Sequence, residues 1–207
     1  MATREALIDA AERVFRREGV TRTSLAEIAH EAGVTRGAIY WHFRDKAQLL
    51  DAMCSRTMLP LDAALARASE SGLADPLSAV RGFAIDALMQ LATCQRTQAV
   101  FEVLFHKCEL VDDLEARGAA QKSDRRKCLS GVEKLFDLAV QHQQLARDTD
   151  VRLATHMLHA YVLGVMREWV AEPASYDLGA SAAAMIDAFI AGLRAHPPRK
   201  AAADSPA

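Results

Sequence analysis

A short run of this chain, Thr35, Arg36, Gly37, Tyr40, Trp41 and His42 with Lys46 just beyond, carries more donors and flat rings than a packing helix needs. A guanidinium can bond a guanine edge at two points or hold a phosphate, and a phenol, an imidazole or an ammonium suits a phosphate. The chemistry on offer is therefore recognition of a polyanion. Nothing in the sequence competes with it as catalysis: there is no Gly-rich phosphate loop, no GxSxG and no HExxH. His106 and Cys108 fall on different sides of a helix, poor geometry for a nucleophile and its base. His156 and His159 stand three apart with no carboxylate or cysteine at ligand spacing. No enzyme activity, metal or cofactor is expected.

The elements that position these side chains are legible around them. Ser24 followed by Glu27 is a capping box and starts a helix. Leu25, Ile28, Ala29 and Ala32 recur at helical spacing, and Gly33 supplies the left-handed residue that ends it. Val34 turns inward and Thr35 caps a second helix. There Ile39 and Phe43, four apart, face inward together, so Arg36, Gly37, Tyr40, Trp41 and His42 must point elsewhere. Two short helices across a tight turn make a helix-turn-helix over residues 24–43, and the second helix has the size to enter a major groove.

Bulk properties set limits. At 207 residues and 51% hydrophobic content the chain can bury one or two cores. Its net charge of −2 is not that of a protein coated in nucleic acid. Residues 1–56 hold nine Lys and Arg against eight Asp and Glu, so placed contacts and not a basic carpet must carry any DNA binding. The four cysteines, Cys54, Cys94, Cys108 and Cys128, have no metal-finger spacing and fit a reducing compartment. No signal peptide or membrane span is read, and a cytoplasmic location is expected.

Helix signals dominate the whole chain, giving an all-α expectation of about nine helices. The first runs over about Arg4–Glu18. A connector begins at Asp45, capped with Gln48, and Pro60 should interrupt it. The polar stretch Ser69–Pro76 is the best boundary, so residues 1–61 are expected as a DNA-binding head and 62–196 as a second domain. Helices follow at about Pro76–Cys94, Arg96–Cys108 and Asp112–Leu145, then from Asp148 or Asp150 to Ala171 and over Asp177–Ala195, with 197–207 as a disordered tail. The last two present small residues at three-and-four spacing: Ala160 and Gly164, then Ala184, Ala188 and Ala191. These can pack within the chain or form a two-fold four-helix interface. The helix-turn-helix favours the two-fold reading, because two recognition helices about 34 Å apart read a palindrome.

Residues 4–54 closely resemble the TetR family of one-component regulators, through Thr23-Ser24-Leu25, Ile28-Ala29, Ala32-Gly33-Val34, Gly37, Tyr40-Trp41-His42-Phe43 and Lys46. The run Thr35–Phe43 narrows the resemblance to multidrug efflux-pump repressors, the AcrR-like branch. Asp75-Pro76-Leu77, Phe105–Glu109 and Tyr161–Gly164 carry it further along the chain. The resemblance implies an all-helical homodimer that binds a palindromic duplex operator and is released by a small lipophilic or cationic ligand. It also implies pocket-lining positions at Phe101, Phe105, Cys128, Val132, Leu158, His159, Val162, Leu163 and Arg167. An endogenous acyl-CoA is the alternative ligand class.

At the DNA, Arg36 is expected on a base edge, with Thr35, Tyr40, His42 and Lys46 on phosphates. Trp41 is expected on backbone or sugar, Gly37 admits close approach, and Arg22 and Ser24 flank the entrance. Tyr40 and Trp41 could instead be core, but Ile39 and Phe43 already hold that face.

Overall fold

The computed structural model describes residues 2–57, 75–107 and 119–200, and among these the chain is all-helical. The helices are α1 (Ala2–Glu18), α2 (Leu25–Glu31), α3 (Arg36–His42), α4 (Lys46–Thr57), α5 (Pro76–Thr93), α6 (Gln95–Glu102), α7 (Ala119–Gln141), α8 (Val151–Ala171) and α9 (Leu178–Ala195). A π-helical turn, Val103–Lys107, follows α6 directly. Pro60, Ser69–Leu73, Cys108, Asp112 and Gly118 lie outside the described residues.

Contacts divide the chain into two compact units that interleave in sequence: residues 1–59 with 94–125, and residues 60–93 with 126–207. The contiguous division at 61/62 expected above thus differs from the structure at 94–125. Hydrophobic burial is the reason. Val100 and Val103 are buried in the same core as Leu7, Val14, Phe15, Ile28, Ile39, Leu49 and Met53, with Leu104 packed against it. Ion pairs from Arg16 to Glu102 at 2.9 Å and from Arg96 to Asp9 at 3.8 Å lie at its rim. All four side chains are well exposed, so each pair is worth well under about 1 kcal/mol and burial dominates.

In the second unit, α5 buries the stripe Leu77, Val80, Ala84, Leu88 and Leu91, at the helical spacing read from the sequence. Asp75 caps it through the Ser78 N–H at 2.9 Å, with Pro76 in the first turn where its missing N–H costs nothing. The α9 helix packs on α5 and α8 with Leu178, Ala182, Ile186, Ile190 and Leu193 buried. Arg81 on α5 and Asp187 on α9 clasp them through two hydrogen bonds, one at 2.9 Å.

Two expectations need correction. The long helix read to Leu145 ends at Gln141, because Gln143 sits at φ 60°, and the amides of His142–Leu145 turn back onto Leu138, Ala139 and Val140 carbonyls. Residues 197–200, expected in a disordered tail, form an ordered strap. Thr149 and Arg199 make an antiparallel bridge, the Asp150 N–H donates to Pro198 O at 2.7 Å, and the Lys200 N–H donates to Asp148 O at 2.9 Å. Pro197 is buried, and Arg199 pairs with Asp148. Backbone pairing of this kind leaves no hydrophobic periodicity to read.

The strap holds the residues that cap α8: Asp150, whose carboxylate accepts from the Leu153 N–H at 2.9 Å. Truncation after His196 should cost about 1–2 kcal/mol as those backbone bonds are removed. That is a fall of a few degrees in thermal midpoint. An unchanged melting curve would show that the strap adds nothing.

Candidate nucleic-acid interface

The recognition element is built from caps inward. The Glu27 N–H donates to Ser24 Oγ at 3.2 Å while the Ser24 N–H donates to Glu27 Oε2 at 2.6 Å, closing the capping box. Gly33, at φ +68°, takes the left-handed turn after α2, and the Val34 N–H returns to Ala29 O at 3.0 Å. Thr35 Oγ1 accepts from the Ala38 N–H at 3.3 Å and so starts α3. Asp45 caps α4 through the Gln48 N–H at 2.7 Å. Ile39 and Phe43 are buried, as their spacing requires.

That burial turns the rest of α3 outward. Tyr40 is 48% exposed and Trp41 85% exposed, which excludes a core role for either ring. The Arg36 guanidinium lies over the Tyr40 ring at 5.8 Å, a weak attraction that preorients both. Gly37 is exposed, and a Cβ built there would meet only Thr35 Oγ1 at 4.0 Å. Nothing among the described residues therefore requires glycine at 37. His42 is half-buried, its ring 6.4 Å from that of Phe43. Ser24 is exposed but committed to its cap, and Arg22 donates to Glu18 O at 2.9 Å beyond the end of α1.

Lys46 behaves differently from a free surface cation. Its ammonium donates to Val20 O at 2.7 Å and Thr21 O at 2.8 Å, tying the start of α4 to the turn after α1. Two of its three donors are thereby used inside the head. Sequence spacing cannot show this, since the carbonyls lie more than twenty residues away and carry no side-chain signal.

Electrostatically the head is sorted. Arg13 and Arg17 pair with Glu31, and Arg56 pairs with Glu5 and Asp9. Near neutrality overall thus coexists with arginines near α3 that have no carboxylate partner among the described residues. The Glu31 carboxyl is held below its ordinary range, first by the hydrogen bond from Arg13. Glu27 is held below its ordinary value of 4.5 by the Ser24 N–H and hydroxyl.

The positions expected to line a pocket fall in both units. Phe101 and Phe105 belong to the first, their rings 5.4 Å apart and both half-buried. The other seven belong to the second: Val132 and Leu158 are buried, Cys128, His159, Val162 and Leu163 half-buried, and Arg167 exposed. Burial pushes the Cys128 thiol up, so it is a neutral apolar side chain at ordinary pH.

The small residues are all on open surface. Ala160 and Gly164 on α8 and Ala184, Ala188 and Ala191 on α9 are exposed in the isolated chain, and a Cβ at Gly164 would meet nothing within 4 Å. The α8 stripe extends through Met157 (41% exposed) to Leu153 (47%), two residues that sequence reading missed. Their spacing of 153, 157, 160 and 164 was the available signal. By length and composition α9 could cross a bilayer, yet only one face of it is covered within the unit.

A surface-exposed second helix of a helix-turn-helix, on a head followed by a helical domain, defines a helix-turn-helix regulator. Residues 7–53 match bacterial regulatory proteins of the tetR family, and residues 75–195 match the C-terminal region of MAATS-type transcriptional repressors. The chain belongs to the TetR family and is a DNA-binding transcriptional repressor. Among its relatives, the HTH-type transcriptional regulator TtgR of Pseudomonas putida is 40% identical over 196 residues, covering 94% of this chain and 93% of that protein. The crystal structure of NalD, the secondary repressor of the MexAB-OprM multidrug efflux pump in Pseudomonas aeruginosa, superposes with a TM-score of 0.79 at 31% identity, covering 92% of this chain and 95% of that one. A complex of SmeT with triclosan superposes equally, at 0.79 and 33% identity, over 93% of this chain and 91% of that one; SmeT is the repressor of the Stenotrophomonas maltophilia pump SmeDEF.

Because the folded Glu27 carboxyl titrates below 4.5, the stability it contributes is complete above that value and is lost as pH falls through the lowered one. Replacement Glu27→Gln should lower the thermal midpoint at neutral pH. The gap from wild type should narrow as pH falls below 4.5 and through the lowered value. A gap independent of pH would remove the charged capping box as its cause.

Proposed function

We propose that the chain acts as a cytoplasmic homodimer that represses a multidrug efflux-pump operon and leaves its palindromic operator when a small lipophilic ligand binds. The observation that carries the DNA reading is the outward face of α3. An 85% exposed tryptophan beside a half-exposed tyrosine and an arginine is costly surface unless another molecule covers it. In this reading Arg36 bonds a base edge, while Thr35, Tyr40 and His42 hold phosphates. Trp41 lies on sugar and backbone, and Gly37 lets the helix axis approach. Arg22 and Ser24 stand at the groove entrance. Lys46 has one donor left for a phosphate and acts chiefly by holding the α1–α2 turn.

The uncovered stripes of α8 and α9 support the two-fold assembly. Joined to those of a second copy, Leu153, Met157, Ala160, Gly164, Ala184, Ala188 and Ala191 would make a four-helix bundle, the small residues allowing close approach. Ligand control follows the relatives that repress efflux pumps. Phe101, Phe105, Cys128, Val132, Leu158, His159, Val162, Leu163 and Arg167 are the positions proposed to meet the ligand, and nearly all are apolar, which favours a greasy molecule with few hydrogen bonds. A ligand that clears the operator almost completely must prefer the released state by about 5 kcal/mol.

The test joins both halves. Gly37→Ala should raise helix stability by up to about 1 kcal/mol, since alanine is the better helix former and the Cβ has room. Operator affinity should fall at least tenfold if the helix axis sits close to the groove; unchanged affinity removes α3 from the groove. Light scattering should report a dimer for wild type and a monomer for Met157→Glu. Triclosan should lower the affinity of wild type for its duplex, and an acyl-CoA that does so in its place would change the ligand class.

A further inference from the structure

The side chain of Arg44 has no carboxylate, carbonyl or ring to contact among the described residues, unlike every other arginine of residues 2–57. Arg4 meets Glu5, Arg16 meets Glu102 and Arg56 meets two carboxylates, while Arg36 lies over Tyr40. Its own backbone, in contrast, is well held. Phe43 before it is buried and extended at φ −139°, and the Arg44 N–H donates to Gln48 Oε1 at 2.8 Å. The result is a cation on a fixed Cα with an exposed guanidinium, unpaired among the described residues, directly beyond the C-terminal end of α3.

We propose that Arg44 is a phosphate-positioning residue of the DNA interface, gripping backbone at the end of α3 opposite Arg36. The dimensions allow it. A helix of seven residues is about 10 Å long, and the major groove is about 12 Å wide, so an arginine at either end of α3 reaches the flanking phosphates. A guanidinium takes two phosphate oxygens at once, which fixes register and not only charge. The bland alternative is a cation that merely complements the negative end of α3. That role requires no DNA and would register in the melting temperature of the free protein. A phosphate grip carries no sequence information and sets where α3 sits before Arg36 reads a base.

The inference rests on the DNA reading above, and the experiment separates the two. A duplex selected from a random pool by the wild-type chain serves as probe, and binding is measured across salt concentrations. Failure of the wild type to enrich any sequence overturns the DNA reading itself. Given a selected duplex, Arg44→Ala should lower the slope of log affinity against log salt by about 0.9 for each phosphate that the variant no longer neutralises. Base preference and the melting temperature of the free protein should stay unchanged, and Arg44→Lys should restore the slope. Ethylation interference should show one phosphate fewer per half-site with the alanine variant. An unaltered slope and interference pattern, or a lowered melting temperature with binding intact, would overturn the assignment.

Discussion

The recognition surface depends on one constraint: α3 is too short to exist alone. A seven-residue helix in water is far below the length at which helix formation sustains itself. It persists because Ile39 and Phe43 are buried in the head and because Thr35 closes its first turn. The same two burials fix its rotation, and rotation decides that Tyr40, Trp41, Arg36 and Gly37 face out. Packing and recognition are therefore one interaction seen from two sides.

Charge is organised by the same logic of sparing the outward face. Arg13, Arg16, Arg17 and Arg56 of the head pair with acids on other helices, and exposed pairs of that kind add little stability. Their larger effect is to cancel fields away from α3. What remains uncancelled is local, so a protein of net charge −2 can still present a cationic edge where its recognition helix ends. Lys46 shows the limit of reading such edges from composition. It is a cation in the right stretch, and its ammonium serves two backbone carbonyls first.

The interleaving of the two units gives the second half of the chain a share in the first. Val100 and Val103 complete the core that also holds Ile39 and Phe43, so the segment that carries Phe101 and Phe105 is built into the head's own interior. Any displacement of that segment must disturb side chains on which α3 relies, because close-packed cores do not deform smoothly.

What the sequence determined by itself was everything local. The capping box at Ser24, the turn at Gly33, the cap at Thr35 and the inward pair Ile39 and Phe43 follow from chain geometry over a few residues, and all were legible, as were the family and the burial stripe of α5. Periodicity, however, says that a helix has a buried face without saying what buries it. Only the tertiary structure assigned Val100 and Val103 to the head, tied Lys46 to carbonyls more than twenty residues away, and laid Arg199 against Thr149. It alone left Leu153 and Met157 uncovered. Those decisions rest on contacts between distant residues and on backbone groups, which are alike at every position and so leave no mark in the amino-acid sequence.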